Sequence, residues 1–282
     1  MEGFTLPSGR SVSRLGQGTW MMGESRRARA AEVAALRLGI ELGMTLVDTA
    51  ELYASGRAES IVGEAIAGRR DEVFVVSKVL PQNAGRERCI EACDRSLRHL
   101  KTDYIDLYLL HWRGSVPVTE TLDAFAELER TGKIRGYGVS NFDVRDMRAA
   151  LAAPHGDRIV ANQVLYNVGR RGCEWALVPM CRERGIVVMA YSPLGSSGAD
   201  LRALLGNTTL RAVGERHDAT PAQVALAWLL TKPGVVTIPK AASAEHVREN
   251  RAALDLKLTD EDLRDIDAAF PPPSRATRLE VI

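Results

Sequence analysis

Four side chains in this sequence are of the types that can together polarise an oxygen and hand it a proton: Asp48, Tyr53, Lys78 and His111. Asp48 closes the apolar stretch TLVD, Tyr53 follows five residues on, Lys78 sits in VVSKV and His111 ends YLLHW. A carboxylate where a buried strand stops is poorly placed as a solvated charge, but it is well placed as counter-ion to a lysine from the neighbouring strand. A lysine beside a phenol favours the phenolate, so the Tyr53 pKa is expected below its ordinary value of about 10, in a range suited to general acid chemistry. His111, held neutral by burial under Trp112 and Trp20, can donate a hydrogen bond to a carbonyl oxygen. Together the four prepare a carbonyl to accept a hydride. Each has a plainer use alone, as loop tyrosine, helix cap, rim ion pair or core histidine. The chemistry depends on whether the chain brings them to one place.

The elements that would do so alternate along the whole chain. Short β-branched runs occur at 14–20, 44–50, 72–79, 104–112, 134–141, 158–167, 185–193 and 234–240. Helix-period segments follow them at 28–42, 57–67, 86–99, 119–131, 143–151, 174–184, 221–231 and 244–252. Continuous apolar strands separated by helices belong in a parallel sheet, and eight such units close into a (β/α)8 TIM barrel. An N-terminal β-hairpin around Pro7-Ser8-Gly9-Arg10 is expected to plug the bottom of the barrel. The residues at 194–216 and the tail from 258 onward exceed the basic repeat, giving an extra C-terminal helix and tail. No Pro/Gly/Ser linker interrupts the pattern, so residues 1–282 are expected to form one domain. An open, doubly wound sheet is the competing arrangement. In a barrel the C-terminal strand ends share one rim. There lie Thr19, Trp20, Asp48, Tyr53, Lys78, His111, Trp112, Ser140, Asn141, Gln163, Tyr191 and Lys240.

Composition narrows the possibilities. With 37 basic and 36 acidic side chains the net charge is +1, which provides no field for a nucleic-acid backbone or an anionic membrane. The N-terminal MEGFTLPSGR is unlike a leader, and no apolar run approaches the ~20 residues a bilayer requires, so a cytoplasmic protein is expected. The four cysteines include no C-x-x-C pair and the five histidines no H-x-x-x-H pair, so no metal site is expected. No long heptad or apolar stripe demands a second copy, and a monomer is the default.

DTAELY, SKV and LLHW resemble the Asp-Tyr-Lys-His tetrad of the aldo-keto reductases, in the same order and strand positions over nearly the whole chain. The resemblance implies that Tyr53 donates a proton, that Asp48 and Lys78 tune it, and that His111 orients the carbonyl. Glu59 and Gly63 fit the same pattern. VSNF, NQV, AYSPLG and IPKAASAEHVREN resemble the family's nicotinamide-nucleotide contacts. By that resemblance Ser140, Asn141 and Gln163 hold the carboxamide and Tyr191 stacks on the nicotinamide ring. Leu194 and Ser196 lie near the pyrophosphate, with Ser192 in the same stretch, and Gly18, Thr19, Trp20 and Asp48 complete that side of the cofactor site. Lys240 meets the adenosine 2′-phosphate, so NADPH is expected over NADH. Ser243, His246, Glu249 and Asn250 complete the adenosine end. Many members carry a hydroxyl residue after that lysine and an arginine six residues after it; this chain has Ala241 and His246 instead, which leaves NADH possible.

Rival chemistries leave more of the sequence unused. GQGTWM at 16–21 lacks the third glycine of the dinucleotide fingerprint. A Schiff-base aldolase could use Lys78 as nucleophile but would leave Tyr191 and the 238–250 stretch without a role. A nucleotide-binding redox-sensing or regulatory subunit with negligible turnover is the non-enzymatic reading. Trp20, Met21 and Trp112 suggest an apolar substrate pocket, suited to small or medium aldehydes and ketones, including α-dicarbonyls.

Overall fold

The computed structural model describes residues 4–5 and 11–282. Eight parallel strands run in ring order: β3 (Gln17–Gly18), β4 (Leu46–Asp48), β5 (Phe74–Val79), β6 (Leu107–Leu110), β7 (Tyr137–Ser140), β8 (Ile159–Leu165), β9 (Val187–Tyr191) and β10 (Val235–Thr237). Parallel bridges Leu15↔Thr237 and Gly18↔Lys240 join the first strand to the last and close the ring. The seam is tight. A methyl group on Gly18 would stand 2.7 Å from the carbonyl oxygen of Ile238, so only glycine lets the two strands meet there.

The interior of the ring is apolar. Leu46, Phe74, Val76, Leu107, Leu109, Ala161, Val187, Met189, Val236 and Ile238 pack inward as one buried cluster, as the period-two alternation of barrel strands requires. Val12 joins that cluster from β2 (Ser11–Val12), which pairs antiparallel with β1 (Phe4–Thr5). The hairpin therefore reaches the barrel floor as expected, while its turn at Pro7–Arg10 lies outside the described residues.

Helices clothe the outside: α1 (Arg29–Glu41), α2 (Arg57–Ala65), α3 (Arg86–Leu100), α4 (Val118–Arg130), α5 (Val144–Ala152) and α6 (Leu177–Glu183) follow the first six strands. The long insertion after β9 forms α7 (Gly198–Gly206) and α8 (Thr208–Arg216) ahead of α9 (Pro221–Thr231). Beyond β10 come α10 (Ala244–Ala252), α11 (Asp260–Ala269) and an irregular tail. Starts are set by local chemistry: Thr220 and Gln223 form a reciprocal capping box with Pro221 in the first turn of α9, and Thr259 with Asp262 does the same for α11.

Candidate active site

Strand ends β4 and β5 bring the first two polar groups together. The Lys78 ammonium donates to Asp48 Oδ2 at 2.7 Å, to the Thr49 carbonyl at 2.8 Å and to the Tyr53 hydroxyl at 3.3 Å. Neither Lys78 nor Asp48 is solvated, their side chains being 0% and 3% exposed. An ion pair this deep survives because its remaining valences are filled. The other Asp48 oxygen accepts from Gln163 Nε2 at 2.7 Å, across the barrel from β8. Burial pushes Asp48 upward and Lys78 downward, each opposed by the attraction of the other. An amine with three acceptors and no exposure is badly placed to attack a carbonyl, which removes the support for an aldolase.

The expected acidification of Tyr53 is not met. Burial, and after it the charge of Asp48, raises the phenol well above its ordinary value. The lysine is near enough, but its shorter contacts go to Asp48 and Thr49, so its charge is largely neutralised where the phenol feels it. A phenol in this state keeps its proton and is a donor rather than a base.

His111 follows the expectation. Burial, with a contribution from Lys78, takes its pKa down to about 2, so the ring is neutral. It lies edge-on to Tyr53 with ring centroids 5.7 Å apart and tilts against Trp112 at 4.8 Å. Its Nδ1 is buried without a hydrogen-bond partner among the described residues. Trp20, Met21 and Trp112, expected to line a pocket, are 43%, 55% and 38% exposed, and Leu52 beside Tyr53 in sequence is exposed as well.

The predicted cofactor residues fall into two groups. On the strand ends, Ser140 Oγ donates to the Gln163 carbonyl at 2.9 Å, Asn141 Nδ2 to the His111 carbonyl at 3.2 Å, and the Tyr191 hydroxyl to Asn141 Oδ1 at 2.9 Å. Because Gln163 presents its amide nitrogen to a carboxylate, its Oε1 is left as an acceptor. Thr19 Oγ1 caps the Asp48 carbonyl at 2.9 Å, and Gly18 bridges Lys240 at the seam. Met21, Ala54, Ser55, Asn141 and Ser192 all hold positive φ between 48° and 65°, a backbone state unusual for side-chain-bearing residues and concentrated at this rim.

At the adenosine end Lys240 is exposed and has no acidic partner among the described residues. Ser243 caps α10 by accepting from the His246 N–H, His246 bonds Glu249 at 2.8 Å, and Asn250 is buried on the same helix. Leu194 packs partly buried against the outer core. Ser196 is committed locally: its N–H and hydroxyl both donate to Asp200 Oδ2, at 3.2 and 3.0 Å, as do those of Ser197 at 3.1 and 3.0 Å.

Three participants were not singled out from sequence. Thr49 offers its carbonyl to Lys78, and Asn167 Nδ2 holds the Ser192 carbonyl at 2.9 Å. The backbone of Ile282 comes near enough to Tyr191 to oppose the upward push of burial on its phenol, so the tail folds back to the rim, tied by a 2.5 Å pair between Arg170 and Glu280. The tail after Phe270 is one of the segments expected from the sequence to shape specificity, together with 20–24 and 112–116. Glu51, beside the Tyr53 turn, is structural: it accepts from the Leu80 N–H at 2.7 Å and Asn83 Nδ2 at 3.0 Å.

A closed eight-stranded barrel with a buried Asp–Lys pair, a phenol and a neutral imidazole on one rim defines a carbonyl-handling barrel enzyme. The model of the aldo/keto reductase family matches residues 14–270, and the chain belongs to that family. Methylglyoxal reductase YeaE of Escherichia coli is 49% identical over 272 residues, covering 96% of each chain. Glyoxal reductase of Bacillus subtilis is 36% identical, covering 83% of this chain and 81% of its own. An aldo/keto reductase of Klebsiella pneumoniae, solved in complex with NADP and acetate, superposes with a TM-score of 0.97 at 46% identity over 100% of both chains.

Proposed function

We propose that this protein reduces small carbonyl compounds, α-dicarbonyls among them, to alcohols with NADPH. The observation that carries the reading is the Tyr53 hydroxyl held 3.3 Å from a buried lysine beside a neutral histidine. The relatives named for methylglyoxal and glyoxal reduction, and the neighbour solved with NADP, point to the same chemistry.

The residues present fit that cofactor. Gln163 Oε1 is placed to accept from a carboxamide, Tyr191 offers a flat face on the rim, and Lys240 is an exposed cation at the ring seam, without an acidic partner among the described residues. When bound, NADPH supplies the hydride that reaches the carbonyl carbon. Tyr53 gives its proton to the oxygen as charge develops there, and Lys78 replaces part of the lost positive character through its contact with the phenolic oxygen. His111, neutral at all working pH, donates to the same oxygen and fixes its direction. Asp48 holds Lys78 in place. Trp20, Met21 and Trp112 desolvate the substrate. The same reading takes residues 1–282 as one barrel acting as a monomer in the cytoplasm, with light scattering as its check.

Tyr53→Phe should lower kcat by about 10²–10⁴-fold while NADPH still binds, as followed by quenching of protein fluorescence. Full turnover in that variant would overturn the assignment. Parallel oxidation of NADPH and NADH against methylglyoxal, glyoxal and simple aldehydes would rank the substrates and the cofactors.

A further inference from the structure

The turn that presents Tyr53 is tied by backbone bonds at both ends and holds two side-chain-bearing residues at positive φ between them. Tyr53 N–H donates to Ala50 O at 3.1 Å and Ser55 N–H to Leu52 O at 3.2 Å on the side of the preceding loop, and Arg57 N–H donates to the Tyr53 and Ala54 carbonyls where α2 begins. Ala54 and Ser55 hold φ of 48° and 56°, a conformation that a residue with a side chain leaves unless something opposes it. Behind the turn stands His99, from the last turn of α3. A methyl group built on Gly56 would lie 2.3 Å from two atoms of the His99 ring, so backbone and imidazole are in direct contact.

His99 is itself anchored. Its Nδ1 lies 3.1 Å from Oε2 of Glu59, a carboxylate with no exposure, and the other Glu59 oxygen accepts the Ser77 hydroxyl at 2.6 Å. Ser77 precedes Lys78 on β5 and points to the opposite side of the sheet. The chain His99–Glu59–Ser77 thus joins the back of the tyrosine turn to the strand that carries the lysine.

We propose that His99 is a positioning residue for Tyr53, backing the turn at Gly56 and, through Glu59 and Ser77, fixing the distance between the phenol and Lys78. The proposal rests on the reading of Tyr53 as proton donor. A proton donor displaced by a fraction of an ångström loses rate without losing ligand affinity. The hydrogen bond to Glu59 raises the imidazole pKa against burial and against Arg98 and Arg95 of its own helix; Lys78 also feels the Glu59 charge from β5. The charged contact is therefore complete below about pH 6.5 and is lost as pH rises through the raised value.

His99→Ala should lower kcat about tenfold or more and increase the solvent isotope effect on kcat, with the Kd for NADPH within about twofold. His99→Gln, which keeps a donor and fills the space at Gly56, should recover most of the rate. An unchanged kcat and isotope effect in His99→Ala would overturn the proposal, as would a loss that glutamine does not recover and that NADPH affinity shares. If His99→Ala does not fold, His99→Gln carries the test: the fall in wild-type kcat as pH rises through the raised His99 value should vanish, and identical profiles would refute it. Tyr53→Phe separates the two levels. Persistent turnover there defeats the donor reading, whereas an inactive Tyr53→Phe beside a fully active His99→Ala defeats only the role of His99.

Discussion

At the scale of the residue, solvent exclusion decides the chemistry more than proximity of charge does. Tyr53 sits within hydrogen-bond reach of an ammonium and is still less acidic than a free phenol, because burial and Asp48 outweigh it. Neither Tyr53 nor His111 should therefore contribute a limb to the pH profile between about 5 and 9, which leaves the decline assigned to His99 as the expected one. Stopped-flow rates across buffers, compared with His111→Asn, would show any such limb. Lys78→Met tests the other member: it strands the Asp48 carboxylate and should cost about 3–5 kcal/mol in urea unfolding unless that group takes up a proton. The tetrad was legible in the sequence because strand ends in a barrel converge whatever their separation along the chain. The sign of the Tyr53 shift was not, since it depends on how Lys78 divides its hydrogen bonds, a matter of fractions of an ångström.

At the scale of the element, the alternation of strands and helices is readable from apolar periodicity; the helices at 221–231 and 244–252 fall where expected, whereas the strands are shorter than the runs that signal them. The stretch 14–20 contains only Gln17–Gly18 as strand, because Leu15 and Lys240 contribute single bridges at a twisted seam. The helix expected over 174–184 begins at Leu177, after a short 3₁₀ turn at Gly172–Glu174. Glu174 is drawn aside there by Arg171 and the Tyr166 hydroxyl, at 2.8 and 2.7 Å. Capping supplies a prediction at this scale. Asp262, almost wholly buried, accepts from Thr259, Arg216 and His217, with contacts of 2.6 to 2.9 Å to the two basic side chains. Burial alone would raise its pKa; the hydrogen bonds from Thr259, His217 and Arg216 outweigh it and hold the carboxyl well below the usual range. A depressed carboxyl stabilises the fold above its unfolded pKa of about 3.9 and ceases to do so as pH falls through the folded value. Asp262→Asn should thus lower stability by about 2–4 kcal/mol at pH 7, with the gap from wild type narrowing below about pH 4 in thermal melts.

At the scale of the whole molecule, the fold divides labour between a rigid, apolar ring and a rim in which several residues adopt conformations that side chains disfavour. The ring has a joint, where Gly18 and Lys240 meet under the cation assigned to the nucleotide phosphate. A ligand seated on that lysine would act as a clasp across the first and last strands of the ring, fastening segments more than 200 residues apart in the sequence. Hydrogen exchange should accordingly slow most at residues 15–19 and 235–241 when NADPH is added, and less around the distant α4; uniform protection over the barrel would mean that the joint was already shut.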